Sequence, residues 1–437
     1  MCRLLFAAAL AAPMALGAAS PAPPANPVLA PLDSLYPDLE KLYIDLHKTP
    51  ELSLHEEKSS AKMAARLKAL GYEVTTGVGG FGVVAILKNG KGPTVLLRED
   101  MDALPVEERT GLAYASKVTT KDDSGATVSV MHACGHDVHM TGLVGAAALL
   151  AKAKDRWRGT LLLVAQPAEE RGSGAVMMLK DGLFTRFPKP DFALSFHDSA
   201  TVPAGKVSLT PGYANANVDS VDLTIYGRGG HGAYPHTTVD PVVIAARTVM
   251  ALQTIVSRET KPTDPAVVTL GSIHGGTKHN IIPDEVKLQI TVRSFKDEVR
   301  KRLLASIDRI AKAEASAAGA PKPPKMEISE GTNSMYNDPA LTRRISAALG
   351  RTLGAANVEE GEPVMGAEDF SEFGRAGIPS LQFNVGAVNP AKYEAAQKTG
   401  AALPSLHSSE FAPDREPTLR TGVASLTVAA LEVLGKP

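Results

Sequence analysis

The chain has 437 residues, of which 44% are hydrophobic and 21% charged, which is enough for two or three domains at about 150 residues each. Lysine and arginine number 46 against 47 acidic residues, so the formal net charge is −1 and the basic excess typical of nucleic-acid-binding proteins is missing. The two cysteines, Cys2 and Cys134, are too few for a disulfide framework. The composition therefore predicts a globular protein without a nucleic-acid partner.

The N-terminal residues have the layout of a secretory signal peptide over residues 1–19. Arg3 precedes a short apolar run that ends in small residues, and cleavage is expected near Ala19. A ragged terminus of a cytoplasmic protein is the alternative, because Arg3 is the only charge before the apolar run. Residues 20–33 are expected to form an extended, proline-rich spacer. No later stretch reaches the roughly 18 to 20 apolar residues of a membrane span, so a soluble, secreted or periplasmic protein is expected.

Hydrophobic spacing over the first half of the chain predicts alternating helices and strands. In chain order it predicts helices over residues 35–46 and 63–70, strands at GVVAILKNG and TVLLRED, a helix at HMTGLVGAAALLAKAK, a strand at GTLLLVAQ, a helix at GSGAVMMLKDG and a strand at DFALSFH. Alternation of this kind is typical of an α/β layered sheet.

From residue 218 the pattern changes to that of an α+β unit of the ferredoxin-like kind. It predicts a strand at VDSVDLTIYG, a helix over 241–257, strands at AVVTLGSIHGG and EVKLQITVRSF, and a helix over 297–318. A strand at IPSLQFNVG and a final helix from about Pro417 follow, and they need a sheet to join. We therefore expect one main domain of residues 34–212 and 324–437, interrupted by an inserted domain at 213–323.

Two familiar motifs fail on their context. Gly77, Gly79 and Gly82 match G-x-G-x-x-G, but β-branched residues and a turn follow, whereas a dinucleotide site needs a helix there. A β-hairpin is predicted instead. His55 and Glu56 lack the second histidine of H-E-x-x-H, and no G-x-S-x-G elbow is present. The zincin and serine-hydrolase classes are therefore disfavoured.

Residue types that bind metals follow several predicted strands. The segment MHACGHDVH at residues 131–139 contains Cys134 and His136 in a loop that enters a helix. Thiolate and imidazole are ligands of a borderline-soft ion such as zinc, although a buried cysteine beside a hydrogen-bonding histidine fits this segment equally well. Asp100 and Asp102 follow the strand TVLL, where a solvated turn is the alternative.

Three further segments add candidate ligands. Glu169 and Glu170 follow the strand LLLVA, His197 is placed at the end of a strand, and His407 follows the strand LQFNV. At a bend, one of two adjacent glutamates can bind a metal while the other reaches the attacking water; a charged loop is the alternative. Because the carboxyl ends of strands in an α/β sheet gather at one edge, the joint pattern predicts a metal centre.

Seven motifs, in this order and spacing, resemble the aminoacylase/carboxypeptidase superfamily of two-metal hydrolases. The resemblance is narrower to its amidohydrolase branch, which includes hippurate hydrolase, the plant auxin-conjugate hydrolases and N-acetyl-diaminopimelate deacetylases. The motifs are LLREDMDALP, MHACGHDVHM, QPAEE, GGHGAYPH, GGTKHNIIPD, GAEDFSEF and LHSSEF. They cover nearly the whole chain that follows the predicted leader.

The resemblance implies a site with two divalent cations per subunit, bridged by the cysteine. The implied ligands are Cys134, His136, Glu170, His197 and His407. Zinc or manganese is expected, with cobalt and nickel as alternatives. The resemblance also implies that Glu169 is the catalytic acid/base and that the inserted domain is a lid that forms a homodimer. The sequence departs from the branch at Glu99, Asp198 and Gly232, which lie beside the motif residues and bear on substrate choice.

Chemistry suggests roles for the remaining polar residues. Asp102 is expected to orient a ligand histidine through its other ring nitrogen, and His231 of the lid to donate a hydrogen bond to the oxyanion. Asn280 and Arg293 are candidates for binding a substrate carboxylate, together with His236 as a further substrate contact. Asn280 in a self-satisfied turn and Arg293 on a solvated strand face are the alternatives.

The function that these residues predict is a metal-dependent amidohydrolase. Its substrates would be N-acyl amino acids or short peptides, cleaved by a water that the two cations activate. A carboxypeptidase or dipeptidase with the same site is the nearest rival. A non-catalytic binding protein on the same fold is a rival from another class, and Glu169 argues against it because a binding protein has no need of that carboxylate.

Overall fold

The computed structural model describes residues 26–436, so the signal peptide predicted at 1–19 lies outside the described residues. Of the predicted spacer, only residues 26–33 are described. They are helical rather than extended, because the Asn26 side chain caps a 3-10 turn at Pro27–Leu29 and the first long helix begins at Leu32. Within residues 26–436, no helix is both long enough and apolar enough to cross a bilayer.

The strands of the described chain are, in order, β1 (Glu73–Val78), β2 (Gly82–Asn89), β3 (Thr94–Asp100), β4 (Thr119–Lys121), β5 (Thr127–Ser129), β6 (Gly159–Gln166), β7 (Phe192–Pro203), β8 (Val207–Leu209), β9 (Gly212–Asn215), β10 (Asn217–Tyr226), β11 (Gly230–His231), β12 (Ala266–His274), β13 (Ile281–Ile282), β14 (Glu285–Ser294), β15 (Lys325–Glu330), β16 (Met335–Asn337), β17 (Val358–Glu360) and β18 (Ser380–Val388). The α-helices are α1 (Leu32–Lys48), α2 (Glu57–Ala69), α3 (His136–Lys152), α4 (Gly174–Lys180), α5 (Leu183–Arg186), α6 (Pro241–Thr254), α7 (Asp297–Ala317), α8 (Pro339–Leu353), α9 (Ser371–Arg375), α10 (Pro390–Thr399) and α11 (Arg415–Val433).

An eight-stranded mixed sheet of order β1-β2-β6-β3-β7-β18-β8-β17 forms the main domain. Its central strands β6, β3, β7 and β18 run parallel, so their carboxyl ends lie at one edge. Strands β1 and β2 form an antiparallel hairpin whose turn holds Gly79, and the predicted hairpin at the G-x-G-x-x-G match is confirmed.

Helices cover both faces of this sheet. On one face α1, α3 and α11 share a core through Leu39, Leu143 and Val423. On the other face α4 and α9 contribute Met178 and Phe373 to a second core. Burial on both faces explains why the central strands are nearly continuous apolar runs in the sequence. The predicted α/β layered fold is confirmed.

The inserted domain has a four-stranded antiparallel sheet of order β12-β14-β10-β15, packed on α6 and α7. Its core, which includes Val221, Ile244 and Leu303, is separate from those of the main domain. The chain order β10-α6-β12-β14-α7-β15 is the expected ferredoxin-like pattern with one more strand. Strand β15 extends this sheet beyond the predicted domain limit at residue 323. The sequence does not predict this strand, because its alternation of apolar and polar residues is too short. A ribbon of β9 and β16 lies where the chain enters and leaves the domain.

Candidate active site

The carboxyl edge of the parallel strands brings together the five residues expected to bind metal. Cys134 Sγ lies 3.5 Å from His197 Nε2 and 3.2 Å from His407 Nε2. Glu170 Oε1 lies 3.4 Å from His407 Nε2 and 3.9 Å from His136 Nε2. These atoms form overlapping groups of three whose members lie within 4.8 Å of one another, close enough to share a cation.

The turn from Cys134 into α3 depends on a glycine. Gly135 has a φ of +77°, and a side chain added there would collide with the carboxylate of Asp198. The tight turn places His136 at the first position of α3, directly after the cysteine loop. The local backbone therefore presents a thiol and an imidazole two residues apart to the same space.

The other two histidines come from distant parts of the chain. His197 was predicted at the end of a strand, but it lies inside β7, because pairing with β18 continues the strand to Pro203. His407 lies in the loop after α10 with a φ of +65°, a conformation that costs a non-glycine residue about 1 kcal/mol or more. Its backbone N–H donates to the carbonyl of Ala133 at 2.8 Å, which joins the two ligand loops.

Two of the imidazoles are oriented by main-chain carbonyls. His136 Nδ1 lies 2.7 Å from the Asp102 carbonyl, and His197 Nδ1 lies 2.6 Å from the Asp198 carbonyl. Because a carbonyl only accepts, each Nδ1 carries a proton, so the neutral form of each ring has its lone pair on Nε2. Within residues 26–436, His136 Nε2 and Glu170 Oε1 are buried without a hydrogen-bond partner. Buried nitrogen and oxygen atoms without partners, next to a thiol, are suited to bind a divalent cation.

The carboxylate of Asp102 binds the backbone of the two adjacent glutamates and makes a longer contact with His136. It accepts the backbone N–H of Glu169 at 3.1 Å and of Glu170 at 3.0 Å, and the hydroxyl of Ser53 at 2.5 Å. Its nearer oxygen is 3.4 Å from His136 Nδ1, farther than the Asp102 carbonyl. The closest contact of Asp102 with His136 is therefore made by its main-chain carbonyl, and the role expected for its carboxylate stays a prediction.

The bend before the glutamates is supported by the residue that precedes α2. Ala168 has a φ of +51°, and its N–H donates to the Glu56 carboxyl group at 2.8 Å. The bend lets both Glu169 and Glu170 reach His136 Nε2, at 4.0 and 3.9 Å. In the sequence, Glu56 was considered only in the rejected H-E-x-x-H match, and its contact with Ala168 reveals its place in the site.

Buried carboxyl groups dominate the electrostatics of the site. Burial, with the neighbouring carboxylate of Glu368, raises the pKa of Glu169 well above its usual range. Burial raises the pKa of Glu170 to about 7. Burial, together with Glu170 and Glu169, also raises the pKa of the Cys134 thiol. Burial thus favours the protonated forms of these groups, and positively charged metal ions would favour their ionised forms.

A fully buried cation, Arg98, lies on β3 and binds three carboxylates. Its guanidinium nitrogens lie 2.8 Å from Asp100, 2.8 Å from Asp369 and 3.1 Å from Glu368. Gln166 accepts a further bond from its Nε at 2.9 Å. Sequence reasoning did not single out Arg98 or its two distant partners. The available signal was a run of charged residues that directly continues the apolar strand residues, since a buried charge needs partners.

The residues expected to contact substrate lie in the inserted domain. His231, His236 and Asn280 are exposed, and His231 Nδ1 accepts the N–H of the residue two positions on at 3.0 Å. Arg293 is half-buried and donates to the Met365 carbonyl at 2.7 Å, so it links the two domains. Within residues 26–436, no hydrogen bond or ion pair joins these four side chains to the cysteine–histidine cluster.

Known proteins share this sequence and fold. The model of peptidase family M20/M25/M40 matches residues 96–400. Thermostable carboxypeptidase 1 of Saccharolobus solfataricus is 37% identical over 395 residues, 90% of this chain and 94% of that protein. Hippurate hydrolase of Campylobacter jejuni is 38% identical over 343 residues, covering 77% of this chain and 85% of that one.

A solved structure agrees with these matches. The YXEP protein of Bacillus subtilis, described as a dinuclear metal binding peptidase of the M20 family, superimposes with a TM-score of 0.74 at 27% identity. The superposition covers 92% of this chain and all of that one. The resemblance deduced from the seven motifs is confirmed, and the chain belongs to peptidase family M20/M25/M40.

Proposed function

We propose that this protein is a metal-dependent amidohydrolase that cleaves N-acyl amino acids or short peptides at an amide bond. The observation that carries the proposal is the convergence of Cys134, Glu170 and the Nε2 atoms of three histidines beside a second glutamate, Glu169. Relatives named as a hippurate hydrolase and a carboxypeptidase support an amide bond as the target.

The five clustered side chains would hold two divalent cations, with the Cys134 thiolate shared between them. When bound, such ions polarise the amide carbonyl and lower the pKa of the attacking water. The mixture of thiolate, imidazole and carboxylate favours zinc or manganese, with cobalt and nickel as further candidates. Cys134→Ala should therefore reduce the metal content, measured by elemental analysis; full occupancy by two metals in this variant would contradict the shared thiolate.

Glu169 is the acid/base of the proposed reaction. Its carboxylate removes a proton from the attacking water and then delivers that proton to the departing amine nitrogen. A raised pKa fits this role, because the carboxyl group must hold the proton between the two steps. The Asp102 carboxylate keeps Glu169 and Glu170 in their separate positions by accepting both backbone N–H groups.

A turnover screen tests the proposed activity. The purified protein is depleted of metal with a chelator, reloaded with one divalent metal at a time, and assayed on N-acyl amino acids and on dipeptides. We expect hydrolysis that a chelator abolishes and metal restores, with Glu169→Gln as the inactive control that still binds metal. Preference for dipeptides would favour the carboxypeptidase or dipeptidase alternative. Metal binding without hydrolysis of either class would favour the binding-protein alternative.

We also propose that the inserted domain is a lid that forms a homodimer. Val242, Val243 and Met250 of α6 are exposed, and Met250 keeps 72% of its side-chain surface accessible. Ile273 is exposed on the neighbouring edge strand β12. An apolar patch beside a sheet edge suits a second copy of the same surface.

In such a dimer, the exposed His231 would complete the partner's site by donating a hydrogen bond to the oxyanion. Subunits of inactive His231→Ala are mixed with subunits of inactive Glu169→Gln. A mixed dimer then holds one site that lacks both groups and one intact site, so activity should return to about half per mixed dimer. No recovery despite demonstrated subunit exchange would show that His231 does not act across the interface.

The N-terminal sequence supports a proposed location outside the cytoplasm. Cleavage near Ala19 would leave a chain that begins close to residue 20, and Cys134 would be its only thiol. N-terminal sequencing of the native protein from fractionated cells tests this. Recovery of the intact leader from the cytoplasmic fraction would contradict it.

A further inference from the structure

A buried chain of carboxyl and imidazole groups lies next to the candidate metal site. His139 Nδ1 lies 2.6 Å from Asp100 Oδ1, and its Nε2 lies 3.0 Å from both the Oδ1 and the backbone nitrogen of Asp198. All three side chains are buried. Because both ring nitrogens contact a carboxylate, the His139 ring is held in one orientation.

The His139 ring packs against two of the candidate metal ligands. Its centroid lies 4.5 Å from that of His197 and 5.2 Å from that of His136. Protein interiors are close-packed, so a rotation of His139 would displace both neighbouring rings. The orientation of His139 therefore affects the two nitrogen ligands directly.

Asp198 contacts the same ligands by other routes. Its Oδ1 is 3.5 Å from His197 Nδ1, and its carbonyl accepts that ring's proton at 2.6 Å. Its Oδ2 is buried without a hydrogen-bond partner among the described residues, and the carboxylate packs against Gly135, between Cys134 and His136. A buried carboxylate oxygen without a partner is unfavourable unless nearby positive charge offsets it.

We propose that Asp198 is a positioning residue for the metal pair. Its carboxylate holds His139, and through it the rings of His136 and His197, in the orientation that binds metal. It also places negative charge against the cysteine loop, where cations would be bound. The inference rests on the proposed function in one respect, since it requires that the protein binds metal; it requires no particular substrate.

Zinc affinity, measured without any substrate, tests this role. The metal-free protein is titrated with zinc in competition with a chromophoric chelator, for the unmodified chain and for Asp198→Asn. Asparagine keeps the side-chain shape, the main-chain carbonyl and an oxygen for His139, but removes the charge. We expect about 10- to 100-fold weaker zinc binding, the range found when groups that support metal ligands are removed.

A matched control and a second readout separate positioning from general destabilisation. Asp219 is a buried carboxylate of the inserted domain paired with Arg300, and Asp219→Asn should leave zinc affinity within about twofold, as expected for a distant site. The visible absorption of the cobalt-loaded protein reports ligand geometry and should change in Asp198→Asn but not in the control. Circular dichroism checks that each variant is folded.

The outcomes are distinguishable. Unchanged zinc affinity and an unchanged cobalt spectrum in folded Asp198→Asn would overturn the role of Asp198 and leave the proposed function intact. Failure of the unmodified chain to bind zinc or cobalt would overturn both. If Asp198→Asn does not fold, His139→Gln is measured instead, because removing the ring that Asp198 holds must weaken zinc binding by a similar factor. Unchanged zinc affinity in His139→Gln would overturn the proposal.

Discussion

Replacement of Asp102 by asparagine tests whether one carboxylate holds both glutamates of the site. The Asp102 carboxylate is almost fully buried and faces donors: the N–H groups of Glu169 and Glu170, the hydroxyl of Ser53 and, at 3.4 Å, the Nδ1 of His136. In Asp102→Asn, the new amide NH₂ must therefore face at least one of these donors, whichever way the amide is turned.

The size of the effect follows from these contacts. The variant loses a hydrogen bond to a charged acceptor, about 1.5–3 kcal/mol, and leaves a buried donor unpaired, about 1–3 kcal/mol. If half of this free energy appears as a higher activation barrier, because Glu169 and Glu170 are displaced from their reactive positions, turnover falls about 10- to 100-fold. The main-chain carbonyl that orients His136 is unchanged, so the loss is assigned to the glutamates.

The assay compares kcat/KM on an N-acyl amino acid, and zinc affinity, for Asp102→Asn and for Ser53→Ala. The serine variant removes one donor but leaves both backbone N–H groups paired, so its activity should fall less than about fivefold. The reasoning would be refuted if Asp102→Asn kept the kcat/KM and zinc affinity of the unmodified protein, or if the two variants behaved alike.

Other perturbations separate the roles of neighbouring groups. Glu169→Gln should retain metal but lose about 10²- to 10⁴-fold in turnover, whereas Glu170→Gln should lose metal affinity; exchanged behaviour in metal analysis and kinetics would reverse the assignment. Gly135→Ala should destabilise the protein by more than the roughly 1–2 kcal/mol of a left-handed residue, measured by urea unfolding, because its methyl group would also strike a carboxylate. Arg98→Met should destabilise it by about 3–5 kcal/mol in the same assay, since it leaves buried carboxylates unpaired; an unchanged midpoint would contradict this. Burial lowers the pKa of His47, but hydrogen bonds to two carboxylates outweigh burial and raise this pKa from 6.5 to about 10. The stability that protonated His47 provides is therefore complete below pH 6.5 and is lost as the pH rises towards 10. His47→Gln should destabilise the protein more at pH 6 than at pH 10.

The sequence alone was sufficient to identify the candidate ligands and the layered fold. Cys134, Glu170 and His407 are 36 and 237 residues apart along the chain, yet their side chains meet at one edge of the α/β sheet. Since the carboxyl ends of parallel strands share an edge, residue type and position after a strand predict that such side chains meet. Hydrophobic period likewise predicted most helices and strands, because burial on one or two faces leaves a local pattern.

Tertiary structure alone decided which atoms do what within the site. The Asp102 main chain lies closer to His136 than its side chain does, and the side chain binds two glutamates instead. These roles depend on differences in distance below 1 Å, which residue types do not encode. Strand order was also hidden, because β7 pairs with β18 although the two are far apart in sequence. The same holds for Arg98 with Asp369 and for Asp198 with His139: each is an ordinary polar residue in the sequence, and only folding brings it to a partner that its burial requires.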